Sequence, residues 1–205
     1  YRSLDAGTNW KEVYTEPGSG TVITALTLDR TNPNILYAAT SAGVVIRSLD
    51  GGETWKNVVL ASGPVTQVFA SDKTIVLGLF EKGTEVSFDQ GATFVDNTKV
   101  DFSAQVTTVV DQEKKVVLPQ SIYTLTEDPH QRGVFLAGAK NGLFRTTDYG
   151  KTWSAVDIIE SSKKFPIRAI AINPVNSNEI VYTSGEALYK SNDGGVKWST
   201  AELKI

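Results

Sequence analysis

Ser48-Leu-Asp-Gly-Gly-Glu-Thr-Trp55 is the stretch of sequence that decides the fold, because the chain contains it in five related copies. All five copies fit the pattern Ser/Thr-x-Asp-x-Gly-x-x-Trp/Phe without a gap. Successive aspartates are 45, 39, 59 and 45 residues apart, and a period of about 45 residues matches one four-stranded propeller blade. The pattern positions are Ser3, Asp5, Gly7 and Trp10; Ser48, Asp50, Gly52 and Trp55; Ser87, Asp89, Gly91 and Phe94; Thr146, Asp148, Gly150 and Trp153; and Ser191, Asp193, Gly195 and Trp198.

The segments between these copies repeat as well, and they have the character of β-strands. An apolar run follows the motif at residues 21–29, 65–71 and 166–174. A second run rich in small residues comes after a polar turn, and a third leads into the next copy of the motif. Each unit therefore predicts four strands, A to D, with the motif on the C–D turn. The inner A strands are apolar on both faces, so we expect neighbouring sheets to cover both faces.

The predicted fold is all-β: a β-propeller of four-stranded antiparallel blades, with four full blades and a half blade in this chain. Residues 1–205 form a single propeller domain in this interpretation. The first copy of the motif has only the end of a C strand before it, which leaves a half blade. Two alternatives stay open: the chain is part of a larger propeller, or a partner completes the ring.

The residues of the motif have structural roles in this interpretation. The aspartate accepts hydrogen bonds from backbone N–H groups and closes the turn, and the Ser or Thr makes similar short-range bonds. The glycine takes a positive φ, and the Trp or Phe packs between adjacent blades. Equivalent positions on successive blades do not converge on one place. We therefore predict no catalytic, metal-binding or cofactor-binding residue among them, and no cofactor.

Composition excludes several classes of partner. The net charge is -3 and the pI is about 5.3, so no basic excess exists to bind nucleic acid. There is no cysteine for a disulfide or a thiolate metal site, and no apolar run is long enough to span a membrane. The chain contains no methionine and starts at Tyr1. We interpret it as processed or trimmed, with a signal peptide upstream and an extracellular, periplasmic or cell-surface location.

The motif resembles the Asp box of the BNR/Asp-box repeat proteins. The phrase Thr31-Asn-Pro-Asn-Ile-Leu-Tyr-Ala-Ala-Thr40, followed by Val45-Ile-Arg-Ser-Leu-Asp-Gly-Gly-Glu-Thr-Trp55, is similar to the bacterial photosystem II stability/assembly-factor-like group. Similar boxes occur in sortilin-type receptor propellers and xyloglucanase-type glycoside hydrolases. The resemblance implies the propeller fold, but its members include enzymes, receptors and assembly factors.

The enzymatic residues of these relatives do not carry over to this chain. Sialidases resemble it in their boxes and use arginines opened by a Phe/Tyr-Arg-Ile-Pro motif, whereas Pro166-Ile-Arg168 has the opposite order. A glycosidase needs two facing carboxylates. The candidates fall mostly at repeat turns, and none stands out: Asp29, Asp72, Asp111 and Asp128.

The remaining polar residues have structural interpretations. The chain's one histidine, His130, lies in a predicted A–B turn, and we interpret it as a surface turn residue rather than a general base. A basic residue directly precedes four of the five boxes, and we interpret these residues as solvated charges at strand ends: Arg2, Arg47, Arg145 and Lys190.

Two departures from the repeat are the places where a specialised surface is expected. The long spacing between Asp89 and Asp148 predicts an inserted hairpin or loop at residues 103–119, either decorative or partner-binding. The incomplete first blade leaves an unpaired edge, which favours oligomerisation or assembly.

Three functions follow from this sequence. The leading hypothesis is a non-enzymatic extracellular or cell-surface binding or scaffold propeller with a protein or glycan partner. One alternative is a glycoside hydrolase related to sialidases or xyloglucanases. The other is a structural subunit of a surface assembly, docked through the incomplete blade.

Overall fold

The computed structural model describes residues 1–17, 20–96, 121–140, 142–159, 164–185 and 187–200. In these ranges the chain forms four antiparallel sheets of four strands, each in sequence order. Within the same ranges no helix has the length and apolar character needed to cross a membrane. The predicted insertion at residues 103–119 lies outside the described residues.

Each sheet is one blade, with strand A first. Blade 1 contains β1 (Ile23–Leu28), β2 (Leu36–Thr40), β3 (Val44–Ser48) and β4 (Lys56–Leu60). Blade 2 contains β5 (Val65–Ser71), β6 (Thr74–Leu79), β7 (Gly83–Ser87) and β8 (Val95–Asp96). Blade 3 contains β9 (Ile122–Glu127), β10 (Phe135–Ala139), β11 (Gly142–Thr146) and β12 (Ser154–Val156). Blade 4 contains β13 (Ile167–Ile172), β14 (Ile180–Ser184), β15 (Ala187–Ser191) and β16 (Ser199–Thr200).

The predicted propeller of four full blades and a half blade is confirmed. In the half blade, Arg2 and Lys11 form an isolated antiparallel bridge. This pair corresponds to Arg47 and Lys56, which pair between β3 and β4 of blade 1. The half blade therefore consists of short C and D segments joined by the first box.

The blades pack through their inner strands, which contact one another in the order β1, β5, β9 and β13. Three apolar cores lie between successive sheets. Every residue of β6, β7 and β10 is buried, because each of these strands lies between two neighbouring sheets. This confirms for the middle blades that apolar residues on both faces indicate coverage on both faces.

Blade 1 differs from that expectation on one face. Ala25 packs against the core between blades 1 and 2. On the opposite face Leu26 is 63% exposed and Leu28 is 54% exposed. Within the described ranges no sheet lies against these two leucines, so coverage of this face of β1 stays a prediction.

Small residues permit the close approach of the blades. A methyl group added at Gly138 would lie 2.6 Å from the carbonyl oxygen of Ile167 in the next blade. One added at Gly78 would lie 2.9 Å from a side-chain carbon of Ile122. Both distances are too short for a carbon contact, so these positions require glycine.

The A–B turns and the Asp-box turns lie at the same end of each blade, which we call the A–B end. Backbone hydrogen bonds of 2.8–3.0 Å join the two turns in each full blade. The donor and acceptor residues are Gly51 and Asn34, Gln90 and Lys73, Tyr149 and Gly133, and Gly194 and Asn178. The B–C turns lie at the opposite end, together with the segments that connect strand D to the next strand A. We call this the B–C end.

Candidate functional site on the inner strands

The Asp-box residues form one hydrogen-bond pattern in all five copies. In blade 1 the Ser48 hydroxyl donates to Asp50 Oδ1 at 2.7 Å, and Gly52 N–H donates to Ser48 Oγ at 2.8 Å. The N–H of Thr54 donates to Asp50 Oδ1 at 2.9 Å. The equivalent atoms of the other boxes make the same bonds at 2.7–2.9 Å.

These hydrogen bonds favour the ionised form of the aspartates. The backbone N–H and then the side chain of Asn9 lower the pKa of Asp5 to about 2. The Thr93 hydroxyl and then its N–H lower the pKa of Asp89 to about 2. The pKa values of the other three box aspartates are also lowered. A carboxylic acid of such low pKa is not a general acid at neutral pH.

The backbone of the box takes positive φ at two consecutive positions. The glycine at the fifth position has φ of 85–94° in all five copies. The residue before it is also left-handed, with φ of 56–74°: Ala6, Gly51, Gln90, Tyr149 and Gly194. The sequence pattern predicts the positive φ of the glycine but not that of the residue before it, because the fourth position carries four different residue types.

The box aromatic residues occupy different environments. Phe94, Trp153 and Trp198 lie in or against the three cores between sheets. Trp10, in the half blade, is 62% exposed, and its indole N–H donates to the Gly7 carbonyl at 2.9 Å. The described residues therefore place three box aromatic residues between blades, and for Trp10 such packing stays a prediction.

The basic residues that precede the boxes connect neighbouring blades. Arg47 of blade 1 donates to the Gln90 carbonyl in the box of blade 2 at 3.1 Å. Arg145 of blade 3 donates to the Gly194 carbonyl in the box of blade 4 at 3.2 Å. Both arginines are half-buried, so their interpretation as solvated charges was wrong. The carbonyls that they contact belong to the left-handed fourth position of the box.

The first and last of these basic residues, Arg2 and Lys190, make different contacts. Arg2 of the half blade lies 2.6 Å from Glu53 in the box of blade 1. Lys190, in blade 4, lies 3.9 Å from Glu179 of the same blade and has a side chain that is 42% exposed. Because this pair is long and exposed, Lys190 contributes little to blade packing.

The candidate carboxylates of a glycosidase lie at the A–B turns. Asp29 is buried, and its Oδ1 accepts from Thr31 N–H at 2.7 Å and from Asp72 N–H at 3.2 Å. Asp128 is buried, and its Oδ1 accepts from His130 N–H at 2.8 Å. Asp72 is exposed with a φ of 55°. The fourth candidate, Asp111, lies outside the described residues.

His130 takes part in a contact between two blades. The Ser177 hydroxyl, from the A–B turn of blade 4, donates to Asp128 Oδ1 at 2.6 Å and lies 2.9 Å from His130 Nδ1. A serine nucleophile would need histidine between itself and the aspartate, whereas here the aspartate bonds to the serine. His130 is exposed, as expected of a surface turn residue. The sequence does not indicate Ser177 as a partner of His130, because the two residues are 47 positions apart.

An ion pair also links blades 1 and 3 at this end. The Arg30 guanidinium donates to Glu127, whose side chain is 2% exposed. The other oxygen of Glu127 accepts from Gly133 N–H at 3.0 Å. Within the described ranges no group of three or more His, Asp or Glu residues is placed to hold a metal ion. The acidic residues of the A–B end therefore form turns and link blades.

The opposite end of the inner strands carries a repeated irregularity. Each strand A contains one extra residue opposite strand B, immediately after its first residue. Such a β-bulge turns a side chain out of the regular alternation. The bulged residues in blades 1 to 4 are Thr24, Thr66, Tyr123 and Arg168.

The two threonines hold the next blade in place. Thr24 Oγ1 donates to the carbonyl of Val65 in blade 2 at 2.6 Å. Thr66 Oγ1 donates to the carbonyl of Ile122 in blade 3 at 2.5 Å. Val65 and Ile122 are both the first residues of their inner strands, so the same contact occurs twice.

The other two bulged residues contact each other. The Arg168 guanidinium lies over the Tyr123 ring, 4.8 Å from the ring centre. Arg168 is exposed and Tyr123 is half-buried. Among the described residues no carboxylate forms an ion pair with Arg168, and this exposed side chain lies against an aromatic ring. We take this pair as the candidate functional site.

Comparisons with known proteins agree with the fold. A stretch covering 36% of this chain is 30% identical to the xyloglucanase Xgh74A of Acetivibrio thermocellus and spans 12% of that enzyme. An ancestral GH74 enzyme superposes with a TM-score of 0.71 at 18% identity, over 98% of this chain and 26% of that chain. YCF48 bound to D1 peptide superposes with a TM-score of 0.55 at 14% identity, over 96% of this chain and 73% of that chain.

These likenesses extend over part of each relative, and the two structural ones fall below 25% identity. They therefore support the propeller architecture. The family model described as the DUF6242 beta propeller domain matches residues 1–205. The chain belongs to the DUF6242 beta propeller domain family.

Proposed function

We propose that this domain is a non-enzymatic binding or scaffold propeller that holds a protein or glycan partner. The main observation that supports this proposal is the contrast between the two ends of the inner strands. At the A–B end, the buried carboxylates Asp29, Glu127 and Asp128 accept hydrogen bonds from turns or pair with neighbouring blades. At the B–C end, the exposed Arg168 lies over the half-buried ring of Tyr123.

Both partner classes have precedents on this fold. YCF48 was solved with a D1 peptide, and the xyloglucanases act on a glycan. Because one fold can hold many functions, these precedents suggest which partners to test and do not choose between them.

The structural interpretation of the Asp boxes is part of this proposal. The five aspartates are separated on successive blades, and their oxygens accept hydrogen bonds within their own turns. We therefore assign them to the fold and no catalytic, metal or cofactor role to them.

Parallel binding and hydrolysis measurements test the proposal. The labelled domain is applied to arrays of peptides and of glycans, and soluble xyloglucan and sialosides are assayed for released sugar. We expect saturable retention on one array and no product. Product release that scales with the concentration of the domain would overturn the non-enzymatic assignment.

The glycoside hydrolase alternative rests on the similarity to xyloglucanases and on the acidic residues of the A–B end. Hydrolysis requires two carboxylates that reach the substrate from opposite sides. If this alternative holds, we expect Asp29→Asn or Glu127→Gln to abolish sugar release. A cooperative unfolding transition of each variant would establish that it is still folded. Activity that survives both substitutions would remove the A–B end from consideration.

The assembly-subunit alternative rests on the incomplete first blade and on two exposed leucines of β1, Leu26 and Leu28. Exposed apolar patches of this kind often mark interfaces. Light scattering over a range of concentrations tests it: association that Leu26→Ser weakens supports the alternative, and a monomer at every concentration contradicts it.

We place the function at an extracellular, periplasmic or cell-surface location. Fractionation of the source cells with an antibody against the domain tests this placement. Recovery of the protein in the soluble cytoplasmic fraction alone would contradict it.

A further inference from the structure

Four features of the B–C end indicate the chemical class of the ligand, and the first is a break in the repeat. Four equivalent bulges would be expected to carry one residue type if they served packing alone. Threonine serves packing at two of them, through bonds to Val65 and Ile122. The same position in blades 3 and 4 carries Tyr123 and Arg168, which bond to neither of those carbonyls and instead contact each other.

The second feature is the geometry of that contact. The planar guanidinium of Arg168 rests on the Tyr123 ring, which restricts its side chain before any ligand arrives. Ordering an arginine in advance reduces the entropy cost of binding. A planar fork of N–H groups matches the two oxygens of a carboxylate.

The third feature is the charge around the pair. Among the described residues of blades 2 to 4, the exposed cations at this end are Lys82, Lys140, Lys164 and Arg168. The described exposed acids at this end of the same blades are Glu81 and Asp157. In the described part of this end, cations thus outnumber acids by four to two, although the chain as a whole has a net charge of -3. Such an excess favours an acidic partner.

Exposed aromatic residues flank the same end. Phe80 lies in the B–C turn of blade 2 and is 43% exposed, and Phe165 precedes β13 and is 52% exposed. Glu81 N–H, directly after Phe80, donates to Ser121 Oγ at 3.1 Å, two residues before Tyr123. Phe80 is thereby held beside the start of blade 3. Apolar side chains beside cations suit a peptide with both acidic and apolar residues.

We propose that the B–C end of blades 2 to 4 binds an acidic peptide segment, with Arg168 on Tyr123 holding one carboxylate of that peptide. The proposal rests on the proposed binding function and specifies its ligand. Phe80 and Phe165 contact apolar side chains of the peptide, and the lysines attract it over a longer distance.

Fluorescence anisotropy tests the proposal with a labelled peptide Glu-Phe-Glu-Glu-Phe-Glu and a matched peptide in which Gln replaces each Glu. We expect the acidic peptide to bind and the neutral one to bind at least about tenfold more weakly. Affinity should fall as salt rises from about 0.05 M to about 0.5 M. Equal binding of the two peptides would overturn the proposal.

Charge-matched variants locate the site. Arg168→Gln is expected to weaken binding of the acidic peptide by about tenfold. Arg132→Gln removes an exposed arginine from the A–B end and is expected to leave the affinity unchanged. The thermal unfolding midpoint of each variant establishes that it is folded. Equal losses in the two variants would contradict the assigned place.

An acidic glycan distinguishes failure of this proposal from failure of the proposed function. If oligogalacturonate binds and the acidic peptide does not, the ligand class proposed here is wrong while the domain remains a binding module. If neither probe binds and the arrays retain nothing, both proposals fail.

Discussion

The Asp-box turns and the inner-strand bulges both recur once in each full blade, yet they differ in how much their residues vary. Every box keeps its hydroxyl, aspartate and glycine, because one hydrogen-bond pattern and one left-handed turn require them. The bulges keep their backbone geometry while the side chain changes from threonine to Tyr123 and Arg168. A repeated residue thus indicates a requirement of the fold, and a changed residue at a repeated position indicates a place that is free to specialise.

The largest expected effect is on the free energy of unfolding, where alanine substitutions at two box glycines should differ. Gly91 has a φ of 90°, and a methyl group added there would lie 2.4 Å from Val58 Cγ1. Gly7 has a φ of 87°, and the nearest atom to its added methyl group would be 3.7 Å away. We expect Gly91→Ala to lower the free energy of unfolding by about 3 kcal/mol and Gly7→Ala by about 1 kcal/mol.

Urea unfolding followed by tryptophan fluorescence measures both losses. Equal losses would show that backbone strain alone determines the choice of glycine, and that packing between blades adds nothing.

The contact from each arginine to the next box is expected to have the second largest effect. Arg145→Met removes a hydrogen bond to the Gly194 carbonyl from a half-buried guanidinium, so we expect a loss of about 1.5 kcal/mol. Lys190→Met is the matched control at the equivalent position of blade 4, where the ion pair with Glu179 is long. We expect almost no loss in this control, again by urea unfolding. A loss as large as that of Arg145→Met would mean that this position stabilises the blade by another route.

Substitutions at two of the bulges are expected to affect different properties, one the stability and the other the binding. Thr66→Val removes the hydroxyl that bonds to Gly78 and Ile122, with an expected loss of about 1 kcal/mol in unfolding free energy. Arg168→Gln changes an exposed side chain, so its effect on unfolding is expected to stay within about 0.5 kcal/mol. For peptide affinity we expect the reverse: Arg168→Gln should lower it more than Thr66→Val. Two variants that lose stability and affinity together would remove the distinction between the two kinds of bulge.

The smallest expected effect is the dependence of protein stability on pH. The ordinary pKa of Asp89 is 3.8, and its pKa in the folded box is about 2. Between these values the unfolded state binds more protons, so acid favours unfolding. The stabilisation from Asp89 is therefore complete above about pH 4 and is lost as the pH falls through about 2.

Asp89→Asn lacks this carboxylate, so its stability should fall less steeply than that of the wild type over the same interval. Urea midpoints at several pH values measure the difference. Parallel curves for the two proteins would contradict the lowered pKa.

The fold could be predicted because the information for it is local. Each box specifies its own turn within eight residues, and the run of apolar residues on both sides of β6 and β10 indicates their burial. The exposed face of β1 could not be predicted in this way, since Leu26 and Leu28 look like the covered residues of other inner strands. Whether an apolar face is covered depends on the neighbouring sheet, which the residues of the strand do not encode.

The candidate site was harder to predict for a different reason. Tyr123 and Arg168 are 45 positions apart in the sequence, and their equivalence depends on the bulge in each inner strand. Counting back from the end of strand A aligns Thr24, Tyr123 and Arg168, each four positions before the last residue of its strand. In blade 2 the same count gives Gln67 instead of Thr66, because β5 is one residue longer. The sequence also gives no sign of the contact between His130 and Ser177, which forms between the A–B turns of two blades.

The bond from Arg47 to the next box has a consequence for how such a domain grows. A single unit of about 45 residues carries the guanidinium donor at the end of its C strand and a carbonyl acceptor in its own box. When a gene segment that encodes one unit is duplicated, both halves of the connection are copied in the correct order, and the new blade can join its neighbour without further mutation. Between blades 2 and 3 the position of the arginine carries the buried Val86. A methyl group added at Gly150 in the next box would lie 3.2 Å from Val86 Cγ2, so an apolar side chain occupies this joint.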